Sequence, residues 1–294
     1  MPEKPDMPVE ADILGRIVAW AADQPLVRAV VLESSRAHRR DGLDRFSDYD
    51  ILLVVSDMRP FVEDNGWQRY FAEPLVRFGD SIEVLGVATA MRLVLYQDHT
   101  KIDYALWPVE LLQRIVERQV SVDLLDWGYR VLLDKDGLTA RLPAPTRTAH
   151  IPSKPTEREY QALVEEFWWE STYVAKNLWR EELVFAKYNL EVVMKFELLL
   201  HMLEWRVELD HDWSWKPGII GRELKRVLSP DLWAALERTY VGMGIEENWE
   251  ALFAMTALFR RAATEVGEAL GYAYPEELDR GVSAYLLEAR ALPH

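Results

Sequence analysis

The sequence of 294 residues contains no cysteine. That absence excludes disulfides, thiolate zinc sites and cysteine nucleophiles, and it suits a reducing compartment. No apolar run approaches the roughly 18 residues that a membrane-spanning helix needs. The opening MPEKPDMPVEAD lacks the basic-then-apolar pattern of a secretion signal. Together these predict a soluble cytoplasmic protein. Basic residues are also scarce, 34 against 49 acidic, for a formal net charge of −15. Holding nucleic acid requires a basic surface, so no nucleic-acid partner is expected, whereas an acidic cleft concentrates cations. There is no H-E-x-x-H and no G-K-[ST], and the six histidines show no metal-binding spacing. Zincin and P-loop chemistry are thereby excluded. The G-x-G of VGMGIEEN has no strand before it and reads as a turn.

Proline and glycine are unevenly distributed. Neither occurs between Thr156 and Lys216, and a stretch of that length without a breaker predicts two or more long helices. PDLWAALERTYVG, NWEALFAMTALFRRAATEVGEALG and PEELDRGVSAYLLEAR add further helices, so residues 156–294 are expected to form a helical bundle. Residues 137–156 hold Pro143, Pro145, Pro152 and Pro155 with little periodicity, and read as a linker. Residues 1–140 mix elements. Val9, Ile13, Ile17 and Trp20 recur at helical spacing, and VRAVVLESS and DYDILLVVSD read as strands. NGWQRYFAEPLVRFG reads as a helix broken at Pro74, and SIEVLGVA, MRLVLYQD and TKIDYALWPVE as strands, the last two forming a hairpin. The expected fold class is α+β: an N-terminal mixed sheet with helices, then a C-terminal helical domain.

Chemistry concentrates at the mouth of the apolar run ILLVV, where Asp48 and Asp50 stand two residues apart. Strand periodicity puts both carboxylates on one face, where they repel unless a cation lies between them. Asp103, flanked by Ile102 and Tyr104 on a later strand, supplies a third acid, costly in such surroundings unless paired or metal-bound. Three acids from two strands suit hard divalent ions such as Mg²⁺, and a two-metal site is predicted. An isolated D-x-D is common at strand edges as a turn or cap, so the spacing needs support. The loop before it provides some. Ser34 and Ser35 follow a strand and can turn backbone N–H groups toward a phosphate, and Arg36 can add charge-assisted bonds.

In the helical half, Glu166, Trp169, Glu170 and Tyr173 share one helix face. Carboxylates there would pair with guanidinium groups, and the rings would cover sugar faces or cations. The same pattern also fits the solvated edge of a core helix. Lys187, and with less reason Lys176, could reach nucleotide phosphates. Lys187 stands in the apolar stretch VFAKYNLE and needs a partner.

RAVVLESSR, FSDYDILLVVSDM, DNGWQRYFAE, HTKIDYALWPVE, EFWWESTYVAKNLWREELVFAKYNLE, LLLHMLEW and WKPGIIGRELKRVL carry a resemblance that runs from about residue 10 to residue 270. The chain resembles the aminoglycoside 6-adenylyltransferases, or streptomycin adenylyltransferases, of the nucleotidyltransferase superfamily. The resemblance implies transfer of AMP from ATP, with Mg²⁺, to a hydroxyl of streptomycin or another aminoglycoside, releasing pyrophosphate and conferring resistance. It implies Asp48 and Asp50 as metal ligands, Asp103 as ligand, general base or both, and Ser35 and Arg36 at the triphosphate. No obligate protein partner is implied. Other acceptors (a lincosamide, a nucleotide, a protein) stay open. So does a homologue impaired in turnover, because the superfamily usually has Gly-Ser where this chain has Ser34-Ser35.

Overall fold

The computed structural model describes residues 10–37 and 43–293. Val9 and the side chain of Ser35 lie outside the described residues. The chain divides into two compact units, Met1–Ala149 and His150–His294.

The first unit is built on six strands: β1 (Val27–Glu33), β2 (Tyr49–Val55), β3 (Pro74–Val84), β4 (Val87–Tyr96), β5 (Lys101–Pro108) and β6 (Tyr129–Asp134), in the order β3-β4-β5-β2-β1-β6. Only β2 and β5 pair in parallel. The helices of this unit are α1 (Glu10–Asp23), α2 (Ser34–Ala37), α3 (Arg59–Glu63), α4 (Val109–Arg118) and α5 (Asp123–Asp126). VRAVVLE and YDILLVV are apolar on both faces because both strands are central and covered on both sides. Ile51, Leu53 and Val55 pack with Ile13, Ile17 and Trp20 of α1. Leu52 and Val54 point the other way, into a layer with Leu111, Leu112 and Ile115 of α4. That alternation decides which face receives the acids.

The β4–β5 hairpin is present and antiparallel. Two local expectations fail. The stretch expected as a helix broken at Pro74 is a 3₁₀ turn, Gly66–Tyr70, after which β3 begins at Pro74 itself. Pro74 opens an edge strand, where a missing N–H is tolerated. SIEVLGVA is not one strand: Leu85 and Gly86 take left-handed φ of 50° and 74° and form the turn between β3 and β4, a conformation that glycine favours. β6 carried no expectation. The proline-rich segment is pinned locally, because Asp126 accepts backbone bonds from Thr146, Arg147 and Ala149 at 2.6–3.1 Å.

The second unit is helical. α6 (Glu157–Trp179) and α7 (Leu183–Lys187) lead into a π-helical stretch, Tyr188–Leu199. Then come α8 (Leu200–His211), α9 (Leu224–Val227), α10 (Pro230–Glu237), α11 (Ile245–Leu270) and α12 (Glu276–Ala291). Thr156 and Glu159 close a capping box at the start of α6. Phe167 stacks on Phe259 at 3.6 Å, tying α6 to α11 at the centre of one apolar core. The architecture is thus α+β, a mixed sheet with helices followed by a helical unit. No helix of the described residues is long and apolar enough to cross a membrane.

Candidate functional site

The start of β2, the start of β5 and the end of β1 meet at one end of the sheet. Asp50 pairs with Asp103 across the parallel β2–β5 ladder, which sets their side chains next to each other on one face. By strand parity that face is the one bearing Leu52, Val54, Ala105 and Trp107. Asp48 immediately precedes β2, and its Oδ2 accepts from the same Lys101 ammonium that reaches Asp103 Oδ2. Sequence reasoning expected these three acids at one site; the ladder sets Asp50 beside Asp103, and the Lys101 ammonium bonds to Asp48 and Asp103.

Two residues it missed join them. Glu33 follows Leu32, the ladder partner of Ile51, and so falls opposite Asp50. It is 1% exposed, and its Oε1 has no hydrogen-bond partner among the described residues. Lys101 is the other. Its Nζ donates to Asp48 Oδ2 at 2.6 Å and to Asp103 Oδ2 at 3.2 Å. Both had a signal. K-x-D in TKIDY places opposite charges on one strand face, and an acid ends the apolar run AVVLE.

Electrostatics follow from burial and crowding. Burial, then the charges of Asp103 and Asp48, push the Asp50 carboxyl up to about 6, while a hydrogen bond from Ser34 and the charge of Lys101 act the other way. Burial raises Asp103 too, with Lys101 opposing and Asp48 adding. Glu33 is raised well above the usual range by burial and by Asp50. Burial by itself would lower Lys101. Its bond to Asp48 and the charges of Asp103 and Asp48 outweigh this and hold the ammonium charged.

The remaining expected residues fall as follows. Ser34 sits at φ 58° just after β1, the conformation glycine would adopt without strain, and its hydroxyl faces Asp50. Ser35 follows it in α2. Arg36 is buried and turned inward: it donates to the carbonyls of Asp48 and Ser47 at 2.9 and 2.7 Å and lies 3.9 Å over the Tyr49 ring. It therefore fixes the approach to β2.

In the helical unit, α6 carries Glu166, Trp169, Glu170 and Tyr173 along one side. Trp169 is 61% exposed and meets Tyr173 edge-on at 6.0 Å. Lys176 lies over the Tyr173 ring at 4.4 Å. Glu170 accepts a bond from Asn189 at 3.1 Å, and burial with the charges of Glu166 and Glu197 raises its carboxyl. Lys187 has the partner that its apolar surroundings demand: it pairs with Glu191 and donates to the Val241 carbonyl at 2.9 Å.

The acid cluster offers only hard oxygen donors, and Asp103 Oδ1 is buried with no hydrogen-bond partner among the described residues. A set of this kind fits Mg²⁺. No group of three or more histidine, aspartate or glutamate side chains is already gathered around a common point among the described residues. Instead, Asp48 and Asp103 are drawn onto the Lys101 ammonium.

The family model described as streptomycin adenylyltransferase matches residues 7–289. An aminoglycoside 6-adenylyltransferase of Bacillus subtilis (strain 168) is 31% identical over 280 residues, covering 94% of this chain and 96% of the relative. One from Campylobacter jejuni is 30% identical over 284 residues, covering 96% of each. A crystal structure of an aminoglycoside 6-adenyltransferase from Bacillus subtilis is 28% identical, covers 97% of this chain and 100% of its own, and superposes with a TM-score of 0.48.

Proposed function

The chain belongs to the streptomycin adenylyltransferase family, and from that premise we propose that it transfers AMP from ATP to a hydroxyl of an aminoglycoside, streptomycin first among them, with release of pyrophosphate. The observation that carries this reading is the pairing of Asp50 with Asp103 across the β2–β5 ladder, with Asp48 joined to Asp103 through the Lys101 ammonium. In this proposal Asp48, Asp50 and Asp103 would hold two Mg²⁺ ions. When bound, Mg²⁺ would neutralise the triphosphate and the charge that develops at the transferred phosphorus.

The chain's own residues do the rest. Asp103, with its carboxyl raised by burial, accepts the proton of the attacking hydroxyl. The oxygen of that hydroxyl bonds to the α-phosphorus while the bond from it to the bridging oxygen of the β-phosphate breaks. Ser34 and Ser35 turn the backbone after β1 toward the phosphates. Glu166, Glu170, Trp169 and Tyr173 of α6 supply carboxylates and rings suited to a cationic sugar. In this reading residues 1–140 act on the nucleotide and residues 156–294 bind the drug, in the cytoplasm. The lack of cysteine supports that compartment.

The test is direct. Purified protein, Mg-ATP and a panel of acceptors (streptomycin, other aminoglycosides, a lincosamide) are mixed and products weighed by mass spectrometry. An adenylylated aminoglycoside is expected, and Asp50→Asn should reduce its formation by at least about a hundredfold. Adenylylation of the lincosamide alone, or an undiminished Asp50→Asn, would contradict the reading.

A further inference from the structure

Lys101 has no part in the chemistry above, yet it makes the closest contacts in the site. Its ammonium bridges Asp48 Oδ2 at 2.6 Å and Asp103 Oδ2 at 3.2 Å. Two of the three carboxylates proposed to hold metal are therefore already satisfied by a cation of the chain itself. The surroundings need one. Glu33, Asp48, Asp50 and Asp103 crowd the same end of the sheet, and the charges of Asp48 and Asp103 both disfavour ionisation of Asp50. Lys101 is 42% exposed on the side-chain scale, against 15% for Asp103 and 31% for Asp48. Its head thus sits at the solvent side of the cluster, on a flexible four-carbon stem at the first residue of β5.

We propose that Lys101 is a resident counter-cation that competes with the divalent ion for Asp48 and Asp103 and, once displaced, pairs with the triphosphate that arrives with the metal. The proposal rests on the metal-site reading above. The physical reason is simple. An ammonium and a divalent ion cannot share the same two oxygens, because like charges a few ångströms apart repel. A metal arriving alone must break two charge-assisted bonds and leave the ammonium without a partner. A metal arriving with nucleotide offers the displaced ammonium new phosphate oxygens. Metal and nucleotide therefore reinforce each other's binding, and that coupling is reciprocal.

The experiment titrates Mn²⁺ into the full chain, by electron paramagnetic resonance and calorimetry, with and without a non-hydrolysable ATP analogue. Wild type, Lys101→Gln, Lys101→Arg and Asp50→Asn are compared after circular dichroism has verified their folding. Without nucleotide, Lys101→Gln is expected to bind Mn²⁺ about tenfold more tightly than wild type, and Lys101→Arg to remain close to wild type. The analogue should tighten Mn²⁺ binding more in wild type than in Lys101→Gln. Equal or weaker Mn²⁺ binding by Lys101→Gln, with binding lost in Asp50→Asn, overturns the role of Lys101 alone. Binding that is the same in wild type and Asp50→Asn overturns the metal site, and this inference with it.

Discussion

Ser34 shows how much one residue can alter a turn. A φ of 58° costs a residue with a Cβ about 1 kcal/mol relative to glycine. The hydroxyl that comes with the Cβ opposes the crowding of Asp50. Strain and hydroxyl are separable. Ser34→Gly relieves the strain and loses the hydroxyl, whereas Ser34→Ala keeps the strain and loses the same hydroxyl. In urea unfolding, Ser34→Gly should be more stable than Ser34→Ala by about 1 kcal/mol, and equal stabilities would show that the backbone there is unstrained. Arg36 is a second case. Read from sequence it adds charge-assisted bonds at the triphosphate; in the fold its guanidinium also braces the carbonyls of Ser47 and Asp48.

At the scale of elements, α6 and α8 invite different tests. α6 buries Tyr160, Phe167 and Trp168 on one side while leaving Trp169 out. An exposed tryptophan contributes little to folding, so Trp169→Ala should change unfolding free energy by no more than about 0.5 kcal/mol. Its KM for the aminoglycoside should rise several-fold if this side of α6 meets the drug; an unchanged KM would assign the ring to the surface alone. α8 carries Glu204 and Glu208 one turn apart. Burial, then the charge of Glu208, push Glu204 up to about 7. The folded state then binds more protons than the unfolded chain between about pH 4.5 and pH 7, so this carboxyl makes stability fall as pH rises through that window. Glu204→Gln removes the dependence. Unfolding midpoints should show the variant more stable than wild type by about 2 kcal/mol at about pH 8 and no more stable at about pH 4.5. A constant difference across that range would contradict the assignment.

For the whole molecule, net charge is the relevant quantity. At −15 the chain sets up a field that attracts a cationic drug over distances near the Debye length, about 10 Å at 0.1 M salt. The KM for a cationic aminoglycoside should therefore climb at least about threefold between roughly 0.02 and 0.5 M salt. Insensitivity to salt would confine recognition to short-range contacts. The two units differ in how they are held together: a sheet with an apolar layer on each face, and helices around a single core centred on Phe167 and Phe259.

The sequence by itself determined the elements whose signal is local. Continuous apolar runs specify the buried strands β1 and β2, and the absence of proline and glycine between Thr156 and Lys216 specifies α6 to α8. It could not place the start of β3 at Pro74 or split SIEVLGVA at Leu85, because those depend on which strand lies at the sheet edge and which backbone must turn. Tertiary structure alone decided that β2 and β5 run parallel in a register that sets Asp50 beside Asp103. It alone brought Glu33 in from a third strand, and it gave Lys101 two carboxylates to bridge. Periodicity reports which way a side chain points along its own strand, whereas the neighbour it meets is chosen by strand order, and strand order is set by burial of the whole sheet.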